Sequence, residues 1–200
     1  MPLRIVATSS TKAQIEKFGS KIPLPTEVVP VPRGSFEFEG MTVIVGTPPS
    51  GHTVDNSWIL VEDEKVLHNV DLVHPGYLEF MDFGVAEDID GYEKSVRDLL
   101  LVDWEILTAG HSNPGTRADV QLVLDYLGDI RRAVGEAMAE TAFAPFVQED
   151  RLFYEWIADF RDAVIENAVK RMRPKWGQYP AFDAVTHTHA QAMFFEIYLH

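Results

Sequence analysis

Gly51-His52-Thr53-Val54-Asp55-Asn56-Ser57 opens the stretch that decides the fold; it continues into Lys65-Val66-Leu67-His68-Asn69-Val70-Asp71 and is answered by Thr108-Ala109-Gly110-His111. Asn56 to Val61 and Lys65 to Val70 read as two short strands around a solvated turn, Glu62-Asp63-Glu64. His52 sits in the turn before this pair, where Gly51 permits unusual backbone angles and lets the imidazole be aimed from a loop end. Asp71 closes a β-rich run, and a charge in that position needs a partner or a metal. His111 stands where one more strand, Glu105 to Ala109, gives way to a helix. Two imidazoles and one carboxylate at strand ends suit zinc or another divalent ion. They are far apart along the chain, so a sheet has to bring them together.

Upstream, Leu3 to Ala7 is apolar and β-prone, and Ser9 or Ser10 is placed to cap a short helix through Phe18, stopped by Gly19. Pro23, Pro25, Pro30 and Pro32 make Ser20 to Arg33 an extended connector. Phe36 and Phe38 alternate with polar residues, and Gly40 turns the chain into Met41 to Val45, a hairpin with one wet face. Downstream, a loop from His74 to Asp90 precedes helical spacing over Tyr92 to Val102. Apolar residues recurring at three and four predict long helices over Thr116–Met138 and Asp150–Met172, the second stopped by Pro174, and a last helix over Gln191–Leu199. Trp104, Trp156 and Trp176 are expected to pack between helices and sheet. A β-rich half is followed by a helix-rich half with no clear linker.

Composition narrows the function. The 200 residues carry 17 basic and 31 acidic side chains, a net charge of −14. An acidic surface repels phosphate, which argues against nucleic acid and against an anionic membrane surface. No apolar run is long enough to span a bilayer, and the first residues do not read as a signal peptide, so a soluble, cytoplasmic protein is expected. Cysteine is absent, which removes disulfides and thiolate metal sites.

The order and spacing of the His52, Asp71 and His111 segments resemble the three downstream metal-ligand motifs of the metallo-β-lactamase superfamily. Further similarities are Pro75-Gly76 after the aspartate, Ala86-Glu87-Asp88 with Gly91-Tyr92, and Gly115-Thr116-Arg117-Ala118-Asp119-Val120. Pro174-Lys175-Trp176-Gly177 and Phe182-Asp183 look like the tail of one bacterial-type branch. The resemblance implies an α+β fold: the later part of an αββα sandwich over residues 1–138, with a helical C-terminal extension over 139–200 packed on the same domain. It implies that His52 serves a first metal, Asp71 bridges two, and His111 serves the second, with zinc the expected ion. The activity implied is metal-dependent hydrolysis of an ester, lactone, thioester or amide in a small-molecule substrate. Tyr77, Phe80, Met81 and Phe83 would lie near the mouth of the site.

The chain also departs from that family. The His-x-His-x-Asp-His signature has no counterpart before His52, where the chain has no histidine at all. Each ion would keep about two protein ligands against the three or four usual for zinc, so the chain alone is expected to be incomplete as a hydrolase. The alternative is a non-catalytic remnant acting as a binding or oligomerisation module. Half a sandwich exposes a sheet face, to be covered by a second copy, by an N-terminal partner segment, or by the C-terminal helices.

Two rival motifs carry less. Gly110-His111-Ser112-Asn113-Pro114 approaches a serine nucleophile elbow, but Pro114 replaces the second glycine, and helix capping is the simpler role. His187-Thr188-His189 has His-x-His spacing, yet on a helix residues two apart do not share a face, and a solvent-exposed tail is expected.

Overall fold

The computed structural model describes residues 3–48, 52–86 and 88–200. Gly51 and Glu87, which figured in the sequence reading, lie outside the described residues. The N-terminal unit is strand β1 (Val6–Thr8), helix α1 (Ser9–Phe18) and strand β2 (Glu27–Val29), with β1 and β2 paired in parallel. Thr8, not Ser9 or Ser10, caps α1: its hydroxyl accepts from Thr11 N–H, and Gly19 closes the helix in the left-handed conformation. The proline-rich connector thus holds a strand of its own.

Five strands follow in the order β3-β4-β5-β6-β7: Arg33–Phe38, Met41–Gly46, Trp58–Val61, Val66–Asn69 and Ile106–Ala109. The first four run antiparallel, each to its neighbour. The last pair is parallel. Parallel neighbours need a crossover, which the chain supplies with the short segment α2 (Met81–Val85) and helix α3 (Ile89–Leu101).

Register assigns the faces. Ile44, Leu60, Leu67 and Leu107 lie side by side across four strands. They join Val96 and Leu99 of α3, and Val120, Leu124 and Leu127 of α4 (Arg117–Glu140), in one core. The neighbouring rows point the other way, because side chains alternate along a strand. Gly34 of β3 backs onto Val29 and Pro30, so the N-terminal unit covers one side of that second face. Toward β5 and β7 the same face is open, leaving Ile59 38% and Ile106 48% exposed.

Helix α5 (Phe153–Trp176) and helix α6 (Phe182–Leu199) pack on α4 and on each other, placing Val164, Ile165, Met193 and Phe194 in the common core. They therefore thicken the helical layer and leave Ile59 and Ile106 uncovered. Pro174 does not stop α5, which runs to Trp176: a proline two residues from a helix end removes one N–H bond and is tolerated there, and buried Trp176 holds the last turn. Helix α6 begins nine residues before the expected Gln191. Its first turns bury Phe182, Val185, Thr186 and His189, so His189 sits in the core and not in an exposed tail. No helix among the described residues is long and apolar enough to cross a membrane.

Candidate functional site

Gly46, Trp58, Asn69 and Ala109 form the last aligned row at one end of the sheet. Because β6 and β7 are parallel, the residues just beyond them, Asp71 and His111, leave the sheet on the same side. Chain reversal after β4 brings His52 to that end as well. One tight contact and one unusual backbone angle sharpen the placement. A Cβ on Gly110 would stand 2.5 Å from Val70 Cγ1, so only glycine lets the His111 loop approach β6 this closely. Asp71 has φ 65°, a left-handed conformation that Asp and Asn adopt more readily than other side chains.

The three side chains converge. His52 Nε2 lies 3.3 Å from Asp71 Oδ2, and His111 Nε2 lies 3.3 Å from Asp71 Oδ1. The other nitrogen of His52, Nδ1, faces the carbonyl oxygen of Gly84. A carbonyl only accepts, so Nδ1 carries a proton, and Nε2 is the nitrogen turned toward the carboxylate. That is the orientation of a metal-ligating histidine held by a backbone carbonyl.

A fourth group enters that the sequence reading had not singled out. His74 Nε2 lies 3.9 Å from Asp71 Oδ1, and the His74 ring is stacked with His111 at 6.4 Å between centroids. His74 Nδ1 is 2.5 Å from Glu79 Oε2, while the second Glu79 oxygen accepts from the His74 backbone N–H at 3.2 Å. Glu79 is only 2% exposed, and its hydrogen bond raises the His74 pKa above the ordinary histidine value. Tyr92, buried beneath, donates to Leu72 O, and its hydroxyl pKa is pushed well above the usual value by that burial. The available signal was Glu79 itself, an acid between Leu78 and Phe80 that such apolar neighbours would bury.

His52, Asp71, His74, Glu79 and His111 line a pocket of about 540 Å³ together with Tyr77, Leu78, Phe80, Val85 and, from the C-terminal region, Ala181 and Val185. Of the four residues expected near its mouth, Tyr77 and Phe80 are there and well exposed. Met81 is exposed but outside the lining, and Phe83 is fully buried, stacked 4.3 Å from His189. Phe83 belongs to the core because its left-handed backbone turns the side chain inward. Ser112 lines the pocket, but its hydroxyl has no hydrogen-bond partner among the described residues, so no base activates it. His189 is bonded to Phe80 O and Tyr126, away from Asp71, and does not replace a missing ligand.

For a metal the donor types fit and the number does not. His52 and His111 address different oxygens of one carboxylate, giving two pairs and not one triad. Among the described residues no group of three or more His, Cys, Asp or Glu is arranged to hold a metal ion. A zinc site asks for three or four protein ligands, so no catalytic step is assigned to this chain by itself.

No protein-family model and no curated protein matches the chain. Solved structures do. A metallo-beta-lactamase from Pontibacter korlensis superposes with a TM-score of 0.53 at 18% identity, over 63% of this chain and 58% of that one. The DIM-1 metallo-beta-lactamase gives 0.51 at 21% identity, over 62% and 56%, and TMB-1 gives 0.51 at 19% identity over the same shares. At these identities the likeness concerns the fold. The chain has the metallo-β-lactamase fold over about three-fifths of its length, and spans less than two-thirds of each of these structures.

Proposed function

We propose that the chain is the part of a metallo-β-lactamase-fold hydrolase that carries His52, Asp71 and His111, and that it acts only when further metal donors complete the site. The observation that supports this reading is the convergence of the two imidazoles on separate oxygens of Asp71, beyond one aligned row of the sheet. Donor chemistry, two imidazoles and a carboxylate, favours zinc. The chain's own residues would then hold and orient. Gly84 O keeps Nε2 of His52 available, Asp71 offers one oxygen to each side, and exposed His111 stands at the open rim. Tyr77, Phe80 and Val85 give an apolar wall against which a small ester, lactone, thioester or amide would lie. The missing donors would come from a segment bearing the His-x-His-x-Asp-His pattern.

Metal analysis tests this directly. The purified chain should retain less than about 0.1 equivalent of zinc, iron or manganese. Adding a polypeptide that bears His-x-His-x-Asp-His should produce stoichiometric zinc binding and hydrolysis of an activated ester, both lost in His52→Ala and His111→Ala. Tight zinc on the chain alone would remove the incomplete-site version, and no zinc uptake with the segment present would overturn the reading.

A second reading rests on the open sheet face. Ile59 and Ile106 are partly exposed beside half-buried Val61 and Val66, the surface of a binding or oligomerisation module. Under that reading, Ile59→Lys with Ile106→Lys abolishes self-association in light scattering, while substitution of His52, Asp71 and His111 leaves function untouched.

A further inference from the structure

We infer that helix α6 positions the candidate site: Thr188 and His189 hold the turn at residues 80–85 in the one shape that aims Nε2 of His52 at Asp71. The inference rests on the reading of His52 and Asp71 as the functional pair, and it concerns how that pair is kept in place.

The turn has two backbone bonds of its own, Gly84 N–H to Phe80 O and Ala86 N–H to Asp82 O, set against a strained backbone. Asp82, Phe83, Gly84 and Val85 all have positive φ, between 53° and 72°. For non-glycine residues this conformation is strained by contact of Cβ with the backbone, and three of the four are not glycine. Such a run persists only where its surroundings impose it.

Helix α6 supplies what is needed through three contacts. Thr188 Oγ1 accepts from Asp82 N–H at 2.9 Å, at the first left-handed residue. His189 Nε2 lies 2.8 Å from Phe80 O, at the residue where the turn begins. The His189 ring stacks on Phe83 at 4.3 Å with 16° between planes. His189 is fully buried, and burial lowers its pKa to about 4, so the ring is neutral near pH 7. A neutral ring that donates from Nε2 to Phe80 O must accept at Nδ1, where the Tyr126 hydroxyl stands 2.9 Å away. The ring is thereby fixed in both tautomer and orientation.

The far side of the turn delivers the effect. Gly84 O is the acceptor for His52 Nδ1–H. If residues 80–85 relax, that carbonyl moves, Nδ1 loses its acceptor, and the ring is free to turn away from Asp71. A merely structural helix would stabilise the fold without setting the orientation of the His52 ring.

The test uses the full metal-free chain and no activity measurement, so a failure of the hydrolase reading leaves it intact. Long-range proton–nitrogen spectra report the two imidazole nitrogens of His52, identified by their loss in His52→Gln. In wild type Nδ1 should carry a proton held in a hydrogen bond. Thr188→Val keeps the side-chain shape and removes the acceptor; it should shift the His52 Nδ1 signal away from its hydrogen-bonded position, leave His111 unchanged, and speed exchange of the Asp82 amide about fivefold, the equivalent of ~1 kcal/mol. Thr188→Ser should restore the wild-type pattern. A folded Thr188→Val protein with unchanged His52 nitrogens overturns the inference. Where Thr188→Val fails to fold, wild-type exchange decides: a protected Asp82 amide supports the tie, and an amide exchanging at the unprotected rate overturns it.

Discussion

His52 donates its Nδ1–H to the carbonyl oxygen of Gly84, and this bond joins the loop before β5 to a left-handed turn 32 residues further along the chain. The two residues leave each other no spare room. A Cβ on Gly84 would stand 2.9 Å from His52 Nδ1 and 3.5 Å from Asp71 O, at φ +72°. Gly84→Ala is therefore expected to cost about 1–2 kcal/mol from the backbone alone and to push the imidazole away from Asp71. Urea unfolding and the His52 nitrogen spectrum check both halves, and an unchanged spectrum would show that the close approach does not exist.

Asp71 permits a cleaner separation of charge from fold. Its φ of 65° is one that Asn tolerates, so Asp71→Asn should retain the melting behaviour of the parent. Asp71→Ala should lose stability through left-handed strain. With the completing segment present, Asp71→Asn should weaken zinc binding by at least about tenfold, measured by titration calorimetry. Equal zinc affinity in parent and variant would remove Asp71 from the ligand set.

Acid should loosen the protein through His189. Its folded pKa is depressed by burial to about 4 from the ordinary histidine value of about 6.5, so the unfolded chain binds the proton more readily and stability falls as pH drops through that window. From this one group the loss between pH 7 and pH 5 is about 2 kcal/mol. His74 works in the opposite direction, because Glu79 raises its pKa. The comparison is therefore between parent and His189→Asn: the difference in urea-unfolding free energy should narrow on acidification, and parallel pH profiles would contradict the assignment.

Trp58 forms the floor of the sheet end. It donates Nε1–H to Asp98 at 2.8 Å, and its ring occupies the space a Cβ on Gly46 would need, 2.1 Å from Cζ2. Gly46→Ala should destabilise by roughly 1–3 kcal/mol through overpacking, seen as a lower denaturation midpoint. Because Gly46 and Trp58 lie in the row that precedes the site, the His111–Asp71 contact should be disturbed as well.

Much of the fold was readable because local signals agreed with the tertiary outcome. Phe36 and Phe38 alternate about Gly40, and the hairpin formed there. Gly19 stops α1 where expected, by glycine chemistry that acts within a few residues, while the cap is Thr8 and not the expected Ser9 or Ser10. The gathering of His52, Asp71 and His111 was legible only through resemblance, since it depends on β7 running parallel to β6, a pairing across the whole α3 crossover. The left-handed turn was not legible. Asp82, Phe83 and Val85 carry no intrinsic preference for positive φ, and their conformation is imposed by contacts with α6 more than a hundred residues away. Helix α6 was itself shortened in the sequence reading because its first turns bury residues on several sides, which blurs the 3.6-residue period.

The tie between Asp82 and Thr188 spans 106 residues, and a growing chain emerges from the ribosome N-terminus first. The sheet, with Asp71 and His111 at its end, is available long before Thr188 is made. His111 and Thr188 are 77 residues apart, so at ordinary elongation rates of about 5–20 residues per second that interval is on the order of 4–15 s. Throughout it the pocket wall at residues 80–85 has the right residues and no restraint. Completion of the pocket is thus timed by the synthesis of α6, a segment remote in sequence from the wall it shapes.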